Sequence, residues 1–307
     1  MRRFWSRGDA EPSPTPELGV NLVAWDRTGF SRTAETGSMA HLRDAVGATR
    51  AVLVPTSYAP AADPGGLVTD GPKTATSASL ADAIADAARH GLRVALKPHV
   101  DREDGGFRGD LAPAGRDRAR FFDAYRRLVV APLARLAAEH PGVVDRFVVA
   151  TELAALAGAD DEWRATVREV RRLAPGVAVG VAANYDALVP GDRRPHPLGW
   201  ADELDFVGVD WFPGESDRDY AAGRLARNLR TVRRTTGRSV IFTELGSRAD
   251  GPDGDDGQAR RIADALDRFG GDVDAFWLWN RFAVRDERDA ERYTLGDPAM
   301  ALLARRG

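Results

Sequence analysis

The sequence predicts an α/β protein built as a single (β/α)8 barrel, and three observations carry that prediction. Eight short apolar, β-branched runs alternate with longer amphipathic stretches from residue 19 onward. Several of the runs are apolar over most of their length, as strands buried on both faces of a parallel sheet are. No GxGxxG follows the first run and no GxxxxGK(S/T) occurs anywhere, which argues against a doubly wound nucleotide-binding sheet. At 307 residues the chain has room for a barrel of roughly 250 residues with loop insertions.

The elements follow in order. MRRFWSRGDAEPSPTPEL has early arginines but charges and prolines instead of an apolar core after them, so residues 1–18 are expected to form a flexible arm and not a signal peptide. Strand candidates are GVNLVAW (19–25), RAVLVPTSY (50–58), RVALKPHVD (93–101) and DRFVVATEL (145–153). They continue with VAVGVAANYD (177–186), DFVGVDWF (205–212), SVIFTELG (239–246) and AFWLWN (275–280). Helical spacing of apolar residues predicts helices at 38–47, 78–90, 115–139, 161–173, 217–236, 257–269 and 298–305. Ser77 or Ser79 before the second helix, and Gly91 after it, are start and stop signals. Between the fifth and sixth strands, Pro190, Pro195 and Pro197 leave room for only a short helix. Residues 19–307 are thus expected to form one catalytic barrel.

Composition narrows the chemistry. The chain has no cysteine, which excludes disulfides, thiolate metal sites and a cysteine nucleophile. Its five histidines show no HxH or HExxH spacing, so no metal or other cofactor is expected. A net charge of -3 offers no basic field for nucleic acid, and no apolar stretch is long enough to span a membrane. The protein is expected to be cytoplasmic, or secreted if its N-terminus is incomplete, and its oligomeric state is left open. The basic residues are 41 arginines and two lysines, Lys73 and Lys97.

In a barrel the reactive groups sit where strands end and loops begin. Polar residues gather at those positions: Asp26, Thr56-Ser57-Tyr58, Lys97-Pro98-His99, Thr151-Glu152, Asn184-Tyr185-Asp186, Asp210, Thr243-Glu244 and Asn280. Two glutamates each end an otherwise apolar run, FVVATE and VIFTE. A carboxylate so placed must be desolvated or paired, and two in one pocket suit glycoside hydrolysis. Pairing of each with a barrel-mouth arginine is the plainer alternative. The loop ADGPDGDDG (249–257) lacks the ligand spacing of a calcium loop and reads as a mobile segment beside the pocket.

A glutamate ending strand four and another ending strand seven is the arrangement of the retaining TIM-barrel glycosidases of clan A. More closely, GVN…W, LKPHVD, FRGD, TEL, AANYD, GVDWFP, IFTELG and YTLGDPA resemble the β-mannanases of glycoside hydrolase family 113, over residues 19–299. The resemblance implies that Glu152 is the acid/base and Glu244 the nucleophile in hydrolysis of β-1,4-mannosidic or related β-glycosidic bonds. It also implies carboxyl groups about 5–5.5 Å apart and a raised Glu152 pKa.

Candidate sugar ligands are Lys97 and His99, two apart and so on one strand face, with Asp101, Arg108 and Asp110 close by. Lys97 stands out because arginine is used almost everywhere else. Asn184, Asp186 and Asp210 are expected pocket members, and Trp25, Trp211 and Trp279 candidate stacking platforms. Thr151 stands where many clan A enzymes have Asn, and Trp211-Phe212 where many have a tyrosine touching the nucleophile. Sugar binding without turnover and sugar transfer to an acceptor other than water therefore stay open beside hydrolysis.

Overall fold

In the computed structural model of the protein, residues 15–188, 199–213, 220–251, 253–280 and 293–306 are described. Nine parallel segments make the barrel: β1 Glu17–Ala24, β2 Arg50–Ala59, β3 Arg93–Leu96, β4 His99–Arg102, β5 Val144–Thr151, β6 Ala178–Asn184, β7 Phe206–Trp211, β8 Ser239–Leu245 and β9 Ala275–Leu278. β1 pairs with both β2 and β9, which closes the sheet. β3 and β4 are one barrel strand in two pieces, because Leu53↔Leu96 and Thr56↔His99 keep a common register across the gap. Pro98 sits in that gap and has no N–H to give to β2. Eight barrel strands result, as the alternation of runs predicts.

The helices are α1 Arg32–Thr36, α2 Ser38–Val46, α3 Ser77–Arg89, α4 Gly115–Tyr125, α5 Ala131–Glu139, α6 Asp160–Leu173, α7 Tyr220–Thr236, α8 Gly254–Phe269 and α9 Asp297–Ala304. The stretch expected as one helix over 115–139 is α4 and α5 joined by a π-helical turn, Arg126–Val130. Pro132 in the first turn of α5 lacks an N–H and would clash with the carbonyl one turn back, so the widened turn relieves it. Gly254 opens α8, so the acidic loop is shorter than 249–257 implies. β1 begins at Glu17, inside the segment expected to be an arm, while residues 1–14 lie outside the described ones. Residues 189–198 of the proline-rich connection are likewise outside, and its described parts hold only short 3-10 turns.

Two apolar layers stabilise the barrel. Val23, Val52, Val54, Ala95, Val148, Phe206, Ile241 and Trp277 fill its inside, and a larger shell packs sheet against helices. Gly180 has no side chain because a Cβ there would lie 2.2 Å from the Phe206 ring. At the N-terminal mouth, Arg50 is 2% exposed and pairs with Glu17 at 2.7 Å and with Asp145. Arg146 also pairs with Glu17, at 2.8 Å, and both guanidinium groups lie over Trp277. Charge at this end caps the barrel, and the reactive polar groups lie at the other.

Candidate active site

The two strand-end glutamates reach the barrel interior through irregularities of their own strands. On β8, Val209↔Phe242 is followed by Asp210↔Glu244, so β8 has one residue more than β7 at this point. Phe242 and Leu245 both pack in the outer shell, which leaves Thr243 and Glu244 as consecutive inward residues. A strict period of two would have turned Glu244 toward the helices. On β5, Val148↔Gly180 is followed by Thr151↔Ala182, again one extra residue. Glu152 then leaves the strand with φ 53°, a left-handed conformation rare for a side chain of this size, its N–H bonded to the Ala182 carbonyl at 2.8 Å. β-bulges of this kind re-aim side chains beside active sites.

Glu244 lies at the floor with 3% of its side chain exposed. Lys97 Nζ donates to its Oε1, and His99 Nε2 stands 3.1 Å from the same oxygen. Burial alone would raise the Glu244 pKa. The Lys97 ammonium and the His99 hydrogen bond outweigh it and hold the carboxyl at about 2. Burial, with the Arg108 and Lys97 charges, holds His99 well below its usual pKa, so the ring is neutral. Its Nε2 also stands 3.1 Å from Lys97 Nζ and 3.5 Å from Arg108 Nη1, so the ring sits where the three charged groups meet. Trp279 stacks on His99 with ring centroids 6.0 Å apart. Asp210 is 1% exposed, accepts from Thr243 Oγ1 at 2.6 Å and stands 3.7 Å from Lys97 Nζ. Burial and the neighbouring Glu244 charge raise its pKa well above the carboxylate range.

Glu152 is exposed enough to line a cleft of about 840 Å³ with Trp25, Tyr58, Asp101, Phe107 and Arg108. Asn184 Nδ2 donates to its Oε1 at 3.0 Å, and Arg108 Nη1 to its Oε2 at 3.3 Å. Burial, and then repulsion from Glu244, push its pKa up to about 7 against the pull of Arg108 and Lys97. The site thus holds one carboxyl poised to be protonated near neutrality and one held ionised.

Several expectations change. Lys97 and His99 do share a face, and both are buried against Glu244 beneath the cleft. Trp211 points away from the site: Asp210 faces inward, so its neighbour faces the helices and packs on Phe269 of α8 and Phe242, at 5.2 and 6.0 Å. Trp279, 6% exposed, braces His99 and does not stand free in the cleft. Of the three proposed platforms, Trp25 alone lines the cleft. Asp186 lies on the 3-10 turn Tyr185–Leu188 and is not among the described residues lining it. Thr151 donates to the Pro98 carbonyl at 3.2 Å and is buried, so the amide beside Glu152 is that of Asn184.

Tyr58, Lys73 and Phe107 also line the cleft, and none of them is among the expected sugar ligands. Tyr58 carried the same strand-end signal as the others. Phe107 sits in a loop with no periodicity to mark it, and among the described residues it is the one large apolar side chain that is exposed, at 43%. Among the described residues, no three His, Asp or Glu side chains lie close enough to hold a metal ion.

Trp211→Ala should therefore act on stability. Truncating a buried tryptophan costs about 3–5 kcal/mol. A lower thermal midpoint with an unchanged KM for an aryl glycoside is expected. An unchanged midpoint with a raised KM would restore a stacking role.

Comparison with known proteins completes the description. The model of Glycoside Hydrolase Family 113 matches residues 23–253, well over half of the chain. A GH113 β-1,4-mannanase structure superposes with a TM-score of 0.80 at 19% identity, covering 95% of this chain and 98% of that one. The GH113 β-mannanase AaManA from Alicyclobacillus acidocaldarius, in complex with ManMIm, gives 0.76 at 20% identity, covering 94% and 96%. An endo-β-1,4-mannanase from Thermotoga petrophila gives 0.64 at 14% identity, covering 96% and 76%. No curated protein matches the sequence.

Proposed function

The chain belongs to Glycoside Hydrolase Family 113 and is a glycoside hydrolase, and from that membership we propose that it cleaves β-1,4-mannosidic bonds with retention, through Glu152 and Glu244. The observation that carries the proposal is the opposed tuning of two carboxyls in one site, Glu152 at about 7 and Glu244 at about 2. Glu244, ionised and held by Lys97 and His99, attacks the anomeric carbon. Its bond to C1 forms as the glycosidic C–O bond breaks, and the Glu152 proton goes to the leaving oxygen. The ester at Glu244 carries no charge, so the repulsion that helped raise Glu152 is gone. Glu152 is then a carboxylate beside Arg108, able to take a proton from water as that water attacks C1. Glu244 leaves as carboxylate and Glu152 is again protonated. Trp25, Tyr58 and Phe107 offer aromatic faces to sugar rings along the cleft.

Two measurements on β-1,4-mannopentaose test this. Proton NMR of the first-formed reducing end is expected to show the β-anomer, and an α-anomer would exclude a double displacement. The pH profile of kcat/KM should be one-sided. The acid must be protonated, so activity falls as pH rises through about 7. The nucleophile stays ionised down to about 2, so no loss from Glu244 is expected between pH 4 and 6. An acid limb near pH 5 with no alkaline limb would count against both assignments, since neither carboxyl would then be tuned as its role requires.

A further inference from the structure

Asp101 and Arg108 lie side by side in the cleft wall, and neither is left free to act alone. Asp101 Oδ1 accepts from Arg108 Nε at 2.9 Å and lies 2.8 Å from Nη2. The third nitrogen, Nη1, faces Glu152 Oε2 at 3.3 Å and His99 Nε2 at 3.5 Å. One edge of the guanidinium is thus neutralised while the other rests on the cleft carboxyl. Arg108 is 17% exposed and Asp101 28%, so water screens this contact only in part.

We infer that Asp101 is a positioning residue that acts through Arg108: it holds the guanidinium in one orientation and offsets its charge, so that Glu152 keeps its proton until the leaving oxygen takes it. This rests on the reading of Glu152 as acid/base. Without Asp101, Arg108 is free to turn two nitrogens onto Glu152 and stabilise the carboxylate, which cannot serve as an acid. With Asp101 in place, Arg108 still faces the Glu152 carboxylate formed in the first step, so one arrangement serves both steps.

The titratable and charged groups that face Glu152, among the described residues, come from five places. Arg108 belongs to the loop after β4, Asp101 to β4, Lys97 to the gap after β3, Glu244 to β8 and Asp210 to β7. Asn184 on β6 adds an uncharged amide. Arg108 and Lys97 favour the ionised form, and Glu244 and Asp101 oppose it. Loss of the Asp101 charge and release of the guanidinium therefore push Glu152 the same way, toward ionisation at lower pH. Loss of Arg108 pushes it the other way.

The experiment is the kcat/KM–pH profile of Asp101→Asn, Arg108→Met and the double variant on mannopentaose, with Asp101→Glu as the conservative control. The alkaline limb of Asp101→Asn is expected about half a unit or more below that of the wild type, and that of Arg108→Met about one unit above it. In the Arg108→Met background the Asp101→Asn shift should shrink, and Asp101→Glu should keep the wild-type limb. A raised KM for Asp101→Asn with its limb unmoved would make Asp101 a sugar ligand and overturn the inference. Equal Asp101→Asn shifts in both backgrounds would also overturn it, since Arg108 would then carry none of the effect. A wild-type profile with no alkaline limb would instead sink the assignment of Glu152 itself.

Discussion

Glu244→Ala is expected to reduce turnover of mannopentaose by more than about 10⁴-fold, because it removes the group that forms the covalent bond. No other described carboxylate can replace it. Asp210, the nearest other carboxylate to Lys97, stands farther off at 3.7 Å, and its Oδ1 is engaged by Thr243. The substitution also takes from the fully buried Lys97 ammonium its nearest anion. Breaking a buried pair from one side costs about 3–5 kcal/mol. Glu244→Gln, which keeps the volume and an acceptor for Lys97, therefore belongs in the same experiment. Both variants should be inactive, and the glutamine variant should melt closer to the wild type. Added azide should restore turnover of an activated aryl β-mannoside as an α-mannosyl azide. Retention of wild-type activity by either variant would end the two-glutamate mechanism.

Glu152→Ala is expected to lose between about 10² and 10⁴-fold on mannopentaose, the usual contribution of a general acid. The loss should depend on the leaving group. A dinitrophenolate departs without a proton, so formation of the glycosyl-enzyme from a dinitrophenyl β-mannoside should be nearly unaffected. Hydrolysis of that intermediate, which needs the base, should become slow, and a burst of phenolate should precede a low steady state. Azide needs no deprotonation and should raise that steady state, giving the β-azide. An equal loss on both substrates would show that Glu152 does not transfer the proton.

The site was legible in unequal parts. FVVATE and VIFTE announce the two glutamates because a carboxylate ending an apolar run is a local anomaly. Lys97 was conspicuous for being one of two lysines in an arginine-rich chain. The pairing of Lys97 with Glu244 was not, since Glu244 is 147 residues away and the contact exists only once the barrel closes. Trp211 misled for a related reason: strand-end position is visible in sequence, but the face is set by Asp210 pointing inward. Asp101 and Arg108 read as sugar ligands from their place at the barrel mouth, and their contact with each other at 2.8–2.9 Å is not visible along the chain.

What the sequence by itself determined is the barrel and the two strand-end glutamates that stand out in it. Periodicity, strand count and strand ends are local properties, written in consecutive residues. What only the tertiary structure decided is the tuning: which carboxyl is held ionised, which is kept protonated, and by what. Those depend on burial and on charges brought together from β3, β4, β5 and β8. They depend too on two bulges that break the period of two just before each glutamate. Coulomb energy follows distance in space, and a one-residue insertion in a strand pair is defined only by its neighbour, so neither could be read along the chain.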